Sequence, residues 1–93
     1  MSREQIWKFG PLYPGHKWKD LDVPEYAKII HFGIQNDTMY FWAHVDTTGV
    51  PLRSLLSRQF MVIPTGVDIP EGGLYHGTVI ASDGTVWHLY ERA

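Results

Sequence analysis

The chain contains no cysteine. Disulfide staples and thiolate chemistry are excluded, and an intracellular setting fits that composition best. It also has no surplus of positive charge: eight Lys and Arg stand against ten acidic residues, a net charge of −2. Proteins that grip duplex nucleic acid draw most of their affinity from a basic face. The densest basic run here, His16-Lys17-Trp18-Lys19, is diluted at once by Asp20 and Asp22. Duplex nucleic acid is therefore not an expected partner, whereas a small phosphorylated ligand needs only a few donors and stays open. No apolar run approaches the ~18 residues of a membrane span, so no membrane is expected either. The opening MSREQIWKFG is charged and has no apolar core, which argues against a signal peptide.

Aromatic residues are abundant instead. Four Trp, five Tyr and four Phe make up 14% of only 93 residues, more than a core of this size needs. Such side chains are enriched at interfaces and around stacked ligands. A single domain spanning 1–93 that assembles as a homo-oligomer, a dimer or tetramer, is the expectation.

The stretch 27–46, AKIIHFGIQNDTMYFWAHVD, concentrates them. Two strands, 27–35 and 39–45, flank the turn Asn36-Asp37. A two-residue loop sets Gln35 against Thr38 and Ile34 against Met39. Continued, that register pairs Phe32 with Phe41 and Ile30 with Ala43 on an apolar face. On the other face it pairs Gly33 with Tyr40, His31 with Trp42 and Ile29 with His44. The second face is too aromatic for ordinary solvent surface, so a further layer or another copy of the chain is expected to cover it. Asn36-Asp37-Thr38 matches a glycosylation sequon but reads as a turn.

Elsewhere IWKF (6–9) and HKWKDLDV (16–23) read as strands, the latter an edge strand interrupted at Pro24. Leu52, Leu55 and Leu56 after Pro51 have helical spacing, so one or two helical turns or a loop are open there. RQFMVI (58–63) is a strand and 64–73 a Pro/Gly loop. In 74–91, Asp83-Gly84 marks a hairpin that sets Ile80 against Trp87, Thr78 against Leu89 and Gly77 against Tyr90. In both hairpins a glycine then lies opposite a tyrosine. About six mostly antiparallel strands with at most one short helix predict an all-β barrel or sandwich.

For chemistry, five histidines invite a metal. None is paired at ligand spacing, and only a convergence of His31, His44 and His88 across strands would make a site. Satisfied or interfacial histidines are the simpler reading. No nucleophile elbow, carboxylate pair or phosphate loop occurs, so no catalytic residue, metal or cofactor is expected. Arg53 and Arg58 flank SLLS and carry the planar fork suited to phosphate. Pro64-Thr65-Gly66 offers a hydroxyl and backbone N–H groups to an anion. Trp7, Tyr13, Trp42, Trp87 and Tyr90 offer ring faces for bases. The plainer alternative is that both arginines are solvated and Thr65-Gly66 is only a turn.

At AKIIHFGIQNDTMYFWAHVD, VIPTGVDIP and YHGTV…GTVWHLYE the chain resembles a family of roughly ninety-residue phage and prophage domains, largely of unknown function. The matching positions run from Pro24, His31 and Gln35 through Trp42, Asp46, Thr65 and Gly66 to Trp87, His88 and Glu91. Pro64 and Val67 depart from it, where the family pattern has Gly and His. In size, aromatic content and implied phage origin the chain is similar to the oligomeric sponges that sequester cyclic oligonucleotide signals of bacterial defence. The resemblance implies a non-enzymatic immune-evasion protein of the host bacterial cytoplasm that holds a cyclic dinucleotide, or a related small nucleotide, undegraded. Its site is expected between subunits, with Arg53 and Arg58 on phosphates, Thr65 and Gly66 as donors, and Tyr13 or Tyr90 stacking a base. The alternatives are a protein-binding inhibitor or virion accessory protein using the aromatic face, and a small metal-dependent hydrolase.

Overall fold

Asn36 and Asp37 both adopt positive φ, 52° and 59°, the conformation of a two-residue turn whose twist matches its flanking strands. They join β3 (Lys28–Gln35) to β4 (Thr38–Asp46) in this computed structural model, which describes residues 3–47 and 55–93. The expected register holds from Gln35–Thr38 through His31–Trp42. Beyond His31 it slips by one residue. Ile29 faces Ala43 and Lys28 faces His44, because Ile30 is the extra residue of a bulge. Ile30, expected in the core, is half-exposed, and Ile29 packs inward in its place.

β1 (Glu4–Leu12) pairs with the other side of β4, giving a three-stranded sheet of order β1-β4-β3. The second sheet is four-stranded, of order β2-β5-β7-β6, from β2 (Lys19–Pro24), β5 (Leu55–Pro64), β6 (Gly73–Ile80) and β7 (Val86–Arg92). All pairings are antiparallel and β2 is an edge strand, as its irregular pattern suggests. The fold is thus all-β, a sandwich of seven strands rather than about six, with no helix among the described residues. Leu55 and Leu56 open β5, so their helical spacing reflects no helix; Leu52 lies outside the described residues.

The second hairpin is correctly placed but off by one in register. Thr78 faces His88, Val79 faces Trp87 and Gly77 faces Leu89. The cause is a loop of three residues, Ser82-Asp83-Gly84, rather than two. Ala81 N–H donates to Thr85 O at 2.7 Å, and Gly84 takes φ 87°. That is the turn-plus-left-handed-glycine solution for a three-residue hairpin. A bulge at His76 then brings Tyr75 opposite Tyr90. The glycine-opposite-tyrosine pattern therefore survives at Gly33–Tyr40 and fails at Gly77.

Between the sheets, Phe41 of β4 stacks on Phe9 of β1 with ring centroids 5.1 Å apart. On its other side Phe41 meets Phe60 of β5 at 4.8 Å. Phe41, Phe60, Leu89 and Val23 are fully buried. Where β3 and β6 of the two sheets come together, Phe32 lies so close to Gly77 that a β-carbon there would sit 3.0 Å from its own. Truncating the central ring leaves a cavity that two opposed sheets cannot close. Phe41→Ala should therefore cost about 3–5 kcal/mol, read as a lower urea midpoint at unchanged slope.

Candidate functional site

Of the six residues expected around a ligand, the structure describes five. Arg58 is turned toward the interior and is committed there. Its Nε and Nη2 donate to the two carboxylate oxygens of Glu91 at 2.5 and 2.8 Å, and its Nη1 donates to the carbonyls of Pro24 and Ala27 at 3.2 and 2.9 Å. Four of the five donors of a guanidinium are thereby used. The expectation that Arg58 stands ready for phosphate and is dispensable to the fold is corrected on this ground. It lines a cleft of about 340 Å³ with Asp20, Gln59, Glu91 and Arg92, but Arg92 is held by Gln59 at 3.0 Å and both acids oppose an anion. Arg53 lies outside the described residues.

Thr65 and Tyr90 share the outer face of the four-stranded sheet. There Thr65 Oγ1 is 2.8 Å from His88 Nε2, and Thr78 Oγ1 is 2.9 Å from His88 Nδ1. Tyr75 completes the chain through its hydroxyl to Thr78, and its ring meets Tyr90 edge-on at 5.6 Å. Both nitrogens of His88 are thus satisfied by threonine hydroxyls. Gly66 takes φ 96° in the exposed turn that follows. Tyr13 lines an apolar cavity of about 280 Å³ together with Leu12, Phe60 and Val62.

The constellation that does assemble is the outer face of β1-β4-β3. Phe41 and Ala43 point inward, so period two sends Tyr40, Trp42 and His44 outward. Trp42 lies between Tyr40, at 6.2 Å, and His31, at 5.6 Å. Lys8 of β1 stands 4.6 Å above the Tyr40 ring, within cation–π range, and donates to Gln35 Oε1 at 2.9 Å. Gly33 makes room for this surface: a β-carbon there would meet His31 Nε2 at 2.7 Å and a ring carbon of Trp42 at 3.2 Å. The result is a shallow row of ring faces bordered by Lys8, Lys28 and His44, the last of which lies 3.3 Å from Glu4. His31 and His44 sit on this sheet and His88 on the other, so the three do not converge. Among the described residues no group of three or more metal-ligating side chains forms.

Sequence reasoning found Tyr40, Trp42 and His31 through the hairpin register but missed Lys8, because nothing local says that β1 joins β4. It also missed Glu91. The available signal was phase: Glu91 is a charge in step with Trp87 and Leu89, and such a residue needs a buried partner. That partner is shared, since His76 Nε2 lies 2.7 Å from Glu91 Oε1.

Burial alone would raise the Glu91 carboxyl, but hydrogen bonds from Arg58 and His76, with their charges, outweigh it and hold the group below its ordinary 4.5. A carboxyl lowered by folding stabilises the native state fully above its ordinary value. That contribution is lost as pH falls through the lower, folded value. Urea midpoints measured from pH 7 to pH 3 should therefore fall in acid, and Glu91→Gln should flatten that fall while lowering the neutral midpoint. Arg58→Ala strips the buried Glu91 carboxylate of two hydrogen bonds and leaves it to His76, and should cost about 3–5 kcal/mol. Wild-type stability at pH 7 would refute that structural role.

No curated protein and no solved structure matches the chain. A family model described as a domain of unknown function, DUF7352, matches residues 2–93. The match spans both sheets and every strand that carries the ring face. The chain therefore belongs to the DUF7352 family.

Proposed function

We propose that this domain is a non-enzymatic binding protein that sequesters a small nucleotide by stacking its bases on the open face of Tyr40, Trp42 and His31. A cyclic dinucleotide of bacterial defence signalling is the ligand of choice, and the resemblance to phage domains makes immune evasion in the host bacterial cytoplasm the setting. The observation that carries this reading is the ring row itself. Among the described residues it faces outward and is edged by cations, with no reacting constellation built into it. Stacking tolerates any base, because every base has a π-face, and Lys8 and Lys28 supply charge near a phosphate without a basic patch. Arg58 is not part of this reading, and Thr65, Gly66, Tyr13 and Tyr90 are left outside the primary contact surface.

The test is to mix purified protein with a cyclic dinucleotide, remove free ligand, denature the protein and assay what is released. Intact nucleotide appearing only on denaturation supports sequestration. Degraded nucleotide means a hydrolase, and no retention means that the aromatic face serves a protein partner. Loss of one stacking ring costs about 1–3 kcal/mol per base. Trp42→Ala should thus weaken binding roughly 5- to 150-fold, with the melting transition shifted little because Trp42 lies outside the core. Gly33→Ala should also weaken binding, by pushing the His31 ring aside. If both variants bind as the parent does, the ring row is not the site.

A further inference from the structure

Sheet edges differ sharply in how they are guarded. β2 carries Lys19, Asp20 and Asp22 along its length and ends in Pro24, a pattern that discourages strand addition. β3 and β6 lie against one another where the sheets meet, with Phe32 against Gly77. β1 is different. It is nine residues long, pairs with β4 on one side, and among the described residues has no strand on the other. Near its N-terminal end Ile6 is 63% exposed.

The backbone phase of that edge can be read from one hydrogen bond. Thr47 N–H donates to Arg3 O at 2.8 Å, so Arg3 turns its backbone groups toward β4. The register from Glu4–Asp46 to Phe9–Phe41 is unbroken, so Gln5, Trp7 and Phe9 do the same. Glu4, Ile6 and Lys8 therefore direct their N–H and C=O groups to the open edge. Their side chains all stand on the sheet's outer face, where they pair with Asp46, His44 and Trp42.

We propose that a second copy of this chain adds to this edge, β1 against β1, antiparallel about a two-fold axis at Ile6. In that register Ile6 faces the partner's Ile6, and Glu4 faces the partner's Lys8 twice over. The three edge-directed residues then form three hydrogen-bonded positions with hydrophobic contact at the centre and opposite charges on either side. A two-fold interface requires such self-complementarity, and opposite charges directly across strands stabilise pairing while like charges oppose it. A register centred at Trp7 would instead set Lys8 against Ile6 and Glu4 against Gly10, with no charge matched. The two sheets become one six-stranded sheet. This assembly stands apart from the ligand reading and needs no nucleotide.

Sedimentation of the ligand-free protein at micromolar concentration tests it. The parent should run as a dimer, or as a multiple of one. Ile6→Asp sets two carboxylates face to face on the axis and should halve the mass, with the circular dichroism of the sandwich retained because Ile6 is outside the core. Glu4→Lys and Lys8→Glu, each alone, create like-charge pairs and should shift the equilibrium toward monomer. Combined in one chain they restore opposite charges and should restore the dimer. A monomeric parent, an assembly indifferent to Ile6→Asp, or a double reversal that fails to recover would each overturn the assignment.

Discussion

One guanidinium ties three strands of the four-stranded sheet to the crossover that leads into the other sheet. Arg58 projects from β5, clasps Glu91 of β7 with two hydrogen bonds, and caps the carbonyls of Pro24 and Ala27. Those two carbonyls belong to the short crossover by which the chain leaves β2 in one sheet and enters β3 in the other. Ala27 N–H to Pro24 O at 3.0 Å closes the crossover on itself, and the arginine's bonds to the same two carbonyls tie it to β5. Side-chain exposures of 16% for Arg58 and 10% for Glu91 place the pair where Coulomb attraction is poorly screened and desolvation is costly. A bidentate pair with two further donors on backbone carbonyls meets that cost. Removing one partner does not, since it strands the other.

The same arginine reaches toward Phe60, with its guanidinium carbon 5.9 Å from the ring centroid. Phe60 in turn supports Phe41, and Phe41 supports Phe9. A column of three rings therefore runs through both layers from beside a charge that is itself locked in place. Its consequence lies on the far side. With alternate residues of β4 pinned inward by Met39, Phe41, Ala43 and Val45, the intervening residues have no choice but to face out. The outward direction of Trp42 follows from packing that never touches it.

How much of this was legible depended on range. The first hairpin could be read to the residue because Asn36-Asp37 fixes both the turn and the phase. Its only error, at Ile30, came from a bulge that sequence alternation does not mark. The second hairpin failed by one residue because Asp83-Gly84 looks like a two-residue turn when Ser82 is in fact part of the loop. That slip exchanged faces and hid the row of Thr65, His88, Thr78 and Tyr75. Arg58 was singled out for the right chemistry, the bidentate recognition of a planar anion, but the anion is a carboxylate of the same chain 33 residues away. Strand order carried the rest, and no local pattern encodes it. Without β1 beside β4, Lys8 cannot be placed over Tyr40.

The ring face was expected to be covered, by a further layer or by another copy, because turning so many aromatics toward water is costly. Strand geometry separates two ways of meeting that cost. Stacking a second sheet on the face, at about 10 Å, would bury the rings and close the site. Adding a strand at the edge, at about 4.8 Å, satisfies unpaired backbone groups and a central isoleucine while leaving both faces as they were. Pairing through β1 is of the second kind. It would lengthen the platform across the two-fold axis, presenting two ring rows on one continuous surface with Glu4 and Lys8 alternating between them. Edge assembly and face recognition then draw on different groups, Ile6 and the β1 backbone for the partner and the rings of β3 and β4 for the ligand, with Lys8 shared between them. An aromatic surplus in a chain of 93 residues is, in this arrangement, divided between a buried column that sets the fold and an outward row that the fold keeps open.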